Sequence, residues 1–161
     1  MKKIGDYIVY RKSVCKIIDI RKNHINQKDY YLLQPIDDES LKVDVPVDNE
    51  KGFLRDLITK KDIDKLISKI KDIEVIKSLD RTLENEYRML LNSGTHEDLI
   101  RIIKTTYLRN LARVEQKKKI GDKDQHYFEL AEKYLYQEFS IVLGKSFEET
   151  KKYVIASVGN E

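Results

Sequence analysis

The sequence predicts an α+β chain. Residues 1–58 read as a small antiparallel β-barrel or strongly bent sheet, and residues 59–161 as an all-helical bundle of four to five helices. Three observations lead there. Apolar residues recur with a period of two up to about residue 58 and with a helical period after it. Turn-forming residues punctuate the first part at short intervals. Capping pairs open the helical segments in the second. The joint, "NEKGFLRDLI", has no flexible linker composition, and its Phe53, Leu54 and Leu57 suit packing onto either half.

The strands come first. "DYIVYR" carries Tyr7, Ile8, Val9 and Tyr10, "VCKIIDI" is short and β-branched, and "DYYLLQP" is aromatic and ends on Pro35. "LKVDVPV" alternates, with Leu41, Val43, Val45 and Val47 on one face, Lys42 and Asp44 on the other, and Pro46 closing it. "KNHINQ" and "PIDDES" are turns. A sheet this small leaves edges, and one use of an edge is pairing with a strand of another protein.

From Thr59 the pattern turns helical. Thr59 with Asp62 resembles a capping box, followed by Ile63, Leu66, Ile67 and Ile70. A second helix covers roughly Leu79 to Leu91 and ends at "NSG". Thr95 with Asp98 caps a third, whose apolar stripe is Leu99, Ile103, Tyr107, Leu111 and Val114. Gly121-Asp122 opens a fourth, stitched by Tyr127, Ala131, Tyr134, Leu135, Phe139 and Val142. Gly144 stops it, and Ser146 with Glu149 caps a short last helix through Val154.

Composition narrows the function. Of 161 residues, 37% are charged, yet the formal net charge is only +3, so any nucleic-acid contact comes from a local patch and not a global field. No apolar run is long enough to span a membrane, the N-terminus is not a signal peptide, and the lone Cys15 allows no internal disulfide, which fits a cytoplasmic protein. No set of catalytic residues is visible. His24, His96 and His126 lie far apart and lack metal-ligand spacing, and Cys15 reads as a buried inert thiol. The expectation is a protein that is not an enzyme and needs no cofactor or metal.

The cations carry more information. In the third helix Arg101, Lys104, Arg109 and Arg113 fall on the arc opposite the apolar stripe, followed by Lys117, Lys118, Lys119 and Lys123. Arg81 and Arg88 lie near the start of the second helix. Two readings stand: an ordinary solvated face, or a phosphate-contacting surface that binds weakly and with strong salt dependence.

The ordered set "IGDYIVY", "VCKIIDI", "YYLLQP" and "LKVDVPVDN", then "LLNSGTHEDLIRIIKTTYLRNLARV" and "HYFELAEKYLYQEFSIVLG", resembles the CarD/CdnL family of bacterial transcription regulators over nearly the whole chain. The resemblance implies a Tudor-like β half, related to the polymerase-interacting domain of the transcription-repair coupling factor, that docks on the β subunit of RNA polymerase. It implies a helical half that meets promoter DNA upstream of the melted bubble, mainly at the phosphate backbone and minor groove, and modulates open-complex stability. Carried onto this chain, the polymerase-binding positions are Arg21, Lys22, Asp44, Val45 and Pro46. The DNA-binding positions are Leu79, Asp80, Arg81, Arg88, Arg109, Arg113 and Lys117. The protein is taken as a monomer.

Three departures matter. Asp44 stands where the family has a basic residue. "YRKSVCK" replaces the family's proline- and glycine-bearing turn, so a turn needing φ > 0 is expected to be reshaped. The tryptophan that family members place before the second helix is absent, since the chain has no Trp; Asp80 takes its place, between Leu79 and Arg81. Leu79 is then either an apolar wedge for a base step or, as burial rates favour, a core residue. The alternative function is a protein-interaction module that binds polymerase or another partner without touching DNA.

Overall fold

A computed structural model of the chain describes residues 2–159. The chain divides into two compact units, Met1–Leu57 and Ile58–Glu161.

The first unit is a five-stranded antiparallel sheet of β1 (Tyr7–Tyr10), β2 (Ser13–Ile25), β3 (Lys28–Pro35), β4 (Val43–Pro46) and β5 (Leu54–Arg55). Their spatial order is β4-β3-β2-β1-β5. Alternation works as expected: Ile8, Cys15, Ile17, Tyr31, Leu33, Val45 and Leu54 point to one face and form its core. The 13-residue β2 does not stay flat against β3. Register shifts between Ile17 and Asp19, and between Arg21 and Ile25, bend it. The bend brings the sheet's ends round without closing them, so this is the bent sheet of the expectation and not a closed barrel. The side chain of Asn49 bridges the gap: its Nδ2 donates to Leu54 O and its Oδ1 accepts from Leu54 N–H, both at 2.9 Å.

Two hairpin turns follow from backbone stereochemistry. Asn26 and Gln27, between the paired Ile25 and Lys28, both have positive φ (52° and 61°), the hand that suits a two-residue hairpin loop. The turn between β1 and β2 is not reshaped to avoid φ > 0. Arg11 adopts φ 57° itself, at a cost of about 1–2 kcal/mol for a residue with a Cβ. Its N–H donates to Phe53 O at 2.8 Å, and its guanidinium lies over the rings of Phe53 (4.5 Å) and Tyr10 (5.4 Å), which offsets part of that cost. Leu41 does not share the face of Val43 and Val45. Its N–H turns back to Asp38 O, and the side chain is exposed.

The second unit contains α1 (Lys60–Lys69), a 3-10 turn (Ile70–Asp72), α2 (Asp80–Ser93), α3 (His96–Glu115), α4 (Asp122–Leu143) and α5 (Phe147–Gly159). Thr59, Thr95 and Ser146 each accept a backbone N–H three residues on, and Ser146 with Glu149 completes the reciprocal box. The core is one cluster centred on Ile100, Ile103, Leu135, Tyr136 and Phe139, all fully buried. The last helix runs to Gly159, beyond the expected Val154, because nothing after Val154 breaks the pattern before that glycine.

Two expectations about α3 need correction. Its stripe is buried at Leu99 and Ile103 but exposed at Leu111 (42%) and Val114 (57%). At 20 residues α3 is about 30 Å long, and it outruns its cover. Gly159, the last described residue of α5, lies level with Tyr107. Lys104, expected on the polar arc, is 3% exposed. Its ammonium donates to Ile73 O (2.8 Å), Ile70 O (2.9 Å) and Lys71 O (3.3 Å), capping the carbonyls at the end of α1 and its 3-10 turn.

Candidate functional site

Each unit carries one candidate surface. In the sheet unit it lies along β2, β3 and β4. Tyr30 of β3 sits opposite Arg21 and also opposite Pro46, and Leu32 sits opposite Asp44. Arg21 and Asp44 are thus diagonal neighbours across β3, and Arg21 Nη1 lies 3.5 Å from Asp44 Oδ1. His24 Nε2 approaches the other Asp44 oxygen at 3.8 Å. Lys22 pairs with Asp29 at 3.1 Å. The Asn23 N–H, and then Lys22, hold the Asp29 carboxyl below the usual carboxylate range. The acid at position 44 therefore neutralises a cation of the same sheet. Val45 is 6% exposed and points into the core, so it offers a partner no side chain.

The outer edge of β4 follows from its hydrogen-bond phase. Val47 N–H donates to Asp29 O at 3.0 Å, so Val47, Val45 and Val43 turn their backbone polar groups toward β3. Asp44 and Pro46 turn theirs outward. Pro46 has no N–H to present, which limits pairing at that end. Beside this edge is a groove of about 360 Å³ lined by Tyr10, Arg11, Tyr30, Asp44, Pro46 and Phe53 among others.

In the helical unit, the start of α2, the end of α3 and the start of α4 converge. Arg109 of α3 joins them: its Nε lies 3.0 Å from Asp124 Oδ2 on α4, and its Nη2 lies 3.3 Å from Asp80 Oδ1 on α2. Tyr87 donates its hydroxyl to the other Asp124 oxygen at 2.8 Å, and burial first, then Asp124, keeps that phenol protonated well beyond its ordinary range. One turn along α2, Glu84 takes Lys123 and Arg88, each at 3.1 Å. Lys123 is the main reason the Glu84 carboxyl sits below its ordinary range. Arg113 packs against Gly121 and donates to Lys119 O at 3.4 Å.

Lys117 terminates α3 with φ 59°. Its N–H reaches Val114 O and the Lys118 N–H reaches Arg113 O, so a lysine fills a position that usually takes glycine. Leu79 precedes α2 and is 64% exposed, which overturns the core reading of this residue. Arg81 is exposed and has no ion pair among the described residues. Apart from Arg113, which bonds a backbone carbonyl, the expected cations therefore sort into two groups. Arg88 and Arg109 are spent on carboxylates, while Arg81 and Lys117 to Lys119 face solvent at the same end of the unit.

Residues 3–58 match the family described as CarD-like/TRCF RID domain. The match covers nearly all of the sheet unit, which is similar to that family's domain. The matched residues stop at Ile58, so the helical unit beyond its first residue lies outside them. No curated protein matches the chain.

Within the sheet unit, the arrangement is suited to binding. Arg11 spreads over two aromatic rings, Asp44 balances Arg21, and the β4 edge offers a backbone donor and two acceptors. Cys15 is 1% exposed, and burial raises its thiol to about 11, so it is neutral and shielded. Neither Asp124 nor Tyr87 was singled out from the sequence. Their contact joins residues 37 positions apart, and no local pattern signals it.

Proposed function

We propose that this protein is a non-enzymatic transcription regulator. Its RID unit binds RNA polymerase at the β subunit, and its helical unit contacts promoter DNA upstream of the melted bubble and modulates open-complex stability. The observation that carries the reading is the family match across the entire sheet unit, together with the unpaired outer edge of β4. An open edge binds a partner strand through main-chain hydrogen bonds and leaves specificity to the flanking side chains. Here those are Arg21, Tyr30, Pro46 and Arg11. On the helical side, exposed Leu79 suits an apolar contact with a base step, and Arg81 with Lys117 to Lys119 suits phosphates.

Such a protein shifts the closed-to-open equilibrium only by its differential affinity for the two states, about 1–3 kcal/mol for a typical coupling. The test is open-complex lifetime with and without the full chain, on polymerase from the same source, at rising salt. A change in lifetime that fades as salt rises, and that Arg81→Ala lessens, is the expected result. The second reading, a module that binds polymerase without touching DNA, draws on the internal pairing of Arg88, Arg109 and Lys104, which leaves less charge for phosphate. Under it, polymerase binds but lifetime is unchanged at every salt concentration.

A further inference from the structure

We propose that Asp80 is a built-in competitor for DNA phosphate: its carboxylate occupies the outward side of Arg109 and holds the helical unit's affinity for duplex DNA below what its cations allow. This rests on the DNA-contacting reading above.

The two carboxylates on Arg109 are unequal. Asp124 has a side chain 5% exposed, and it is bonded to Tyr87 as well as to Arg109 Nε. It fixes where the guanidinium sits. Asp80 has a side chain 83% exposed and meets only the outer nitrogen, Nη2. Removing Asp80 therefore leaves Arg109 anchored by Asp124, with one edge of its fork turned to solvent. A phosphodiester oxygen carries the same charge as a carboxylate oxygen and accepts from guanidinium with the same geometry. An ion pair this exposed is worth little, so the penalty it sets on phosphate binding at Arg109 is modest. The neighbours agree with a phosphate at this place. Arg81 is one residue on from Asp80, and the exposed Lys117 to Lys119 follow the end of the helix that carries Arg109. Glu84, the other carboxylate on that side of α2, is held by Lys123 and Arg88 and does not meet Arg109.

The experiment measures binding of the full chain to a short duplex by fluorescence anisotropy across a salt series, for wild type, Asp80→Asn and Glu115→Gln. Glu115 is exposed near the end of α3 and has no ion pair among the described residues, so its variant changes net charge equally without touching Arg109. Asp80→Asn is expected to bind about two- to fivefold tighter at low salt. Its log–log salt slope should steepen by about 0.9, one additional phosphate neutralised. Glu115→Gln should stay near wild type. If wild type binds and Asp80→Asn is no tighter, or Glu115→Gln gains as much, the competition is refuted while the DNA reading survives. If neither wild type nor Asp80→Asn binds DNA at low salt, both fall together.

Discussion

Three carboxylates of the helical unit, Asp124, Glu132 and Glu138, are nearly inaccessible, and each meets the cost of burial differently. Asp124 has a phenol and a guanidinium. Glu138 has His96 Nε2 at 2.9 Å and the N–H of Ile58 at 2.7 Å, so it ties the first residue of the unit to α4. Glu132 is the least satisfied. Its Oε2 makes no hydrogen bond, and Lys151 Nζ lies 3.5 Å away as a loose ion pair. Burial raises the Glu132 carboxyl above its ordinary range, against the pull of Lys151. An acid whose folded pKa is raised binds its proton more tightly folded than unfolded. Its contribution is present below the unfolded pKa and is lost as pH climbs through the folded one. Glu132→Gln should therefore be more stable than wild type by about 1 kcal/mol near neutrality, with the difference vanishing toward about pH 4. Paired urea titrations at the two pH values check this; equal gains at both would show that the proton is not the cause.

Elements were legible where their signals are local. The caps at Thr59, Thr95 and Ser146 and the stops at Gly94 and Gly144 are short patterns, and the helices begin and end on them. What depended on neighbours was not legible. Lys104 sits at a polar position by periodicity, yet three carbonyls at the end of α1 and its 3-10 turn draw it inside. Leu111 and Val114 keep the apolar period, yet among the described residues both side chains are left exposed. The site behaved likewise: Arg21 and Asp44 were each singled out, but their pairing spans 23 residues and needs the register of β3 to be seen. The two-residue β5 is too short for any periodicity, and the Asn49 side chain that supports it is an ordinary turn asparagine in the sequence. That support can be tested at the level of the strand. Asn49→Ala removes both bonds to Leu54, each worth about 1 kcal/mol net. Amide exchange at Leu54 should accelerate about tenfold or more, while that of Leu33 in the interior strand β3 stays near wild type. Unchanged exchange at Leu54 would mean the sheet holds β5 without the asparagine.

At the scale of the molecule, a chain of 31 basic and 28 acidic side chains has little net field, so function depends on which charges remain unpaired and where. In the sheet unit Asp44 balances Arg21, leaving an open strand edge flanked by aromatic rings and Arg11 as the surface to present. In the helical unit most of the arginines are matched to acids, and one group of exposed cations without an acidic partner, Arg81 with Lys117 to Lys119, lies where three helix ends meet. No described helix is long and apolar enough to cross a membrane. The central claim is that the sheet unit is a polymerase-docking module. Its most direct test is titration of the full chain onto core RNA polymerase and onto the isolated β subunit. Saturable binding in the micromolar range or tighter to both is expected, weakened by Arg21→Glu, which sets two acids diagonally across β3. Absence of binding to either at concentrations well above micromolar would contradict the claim.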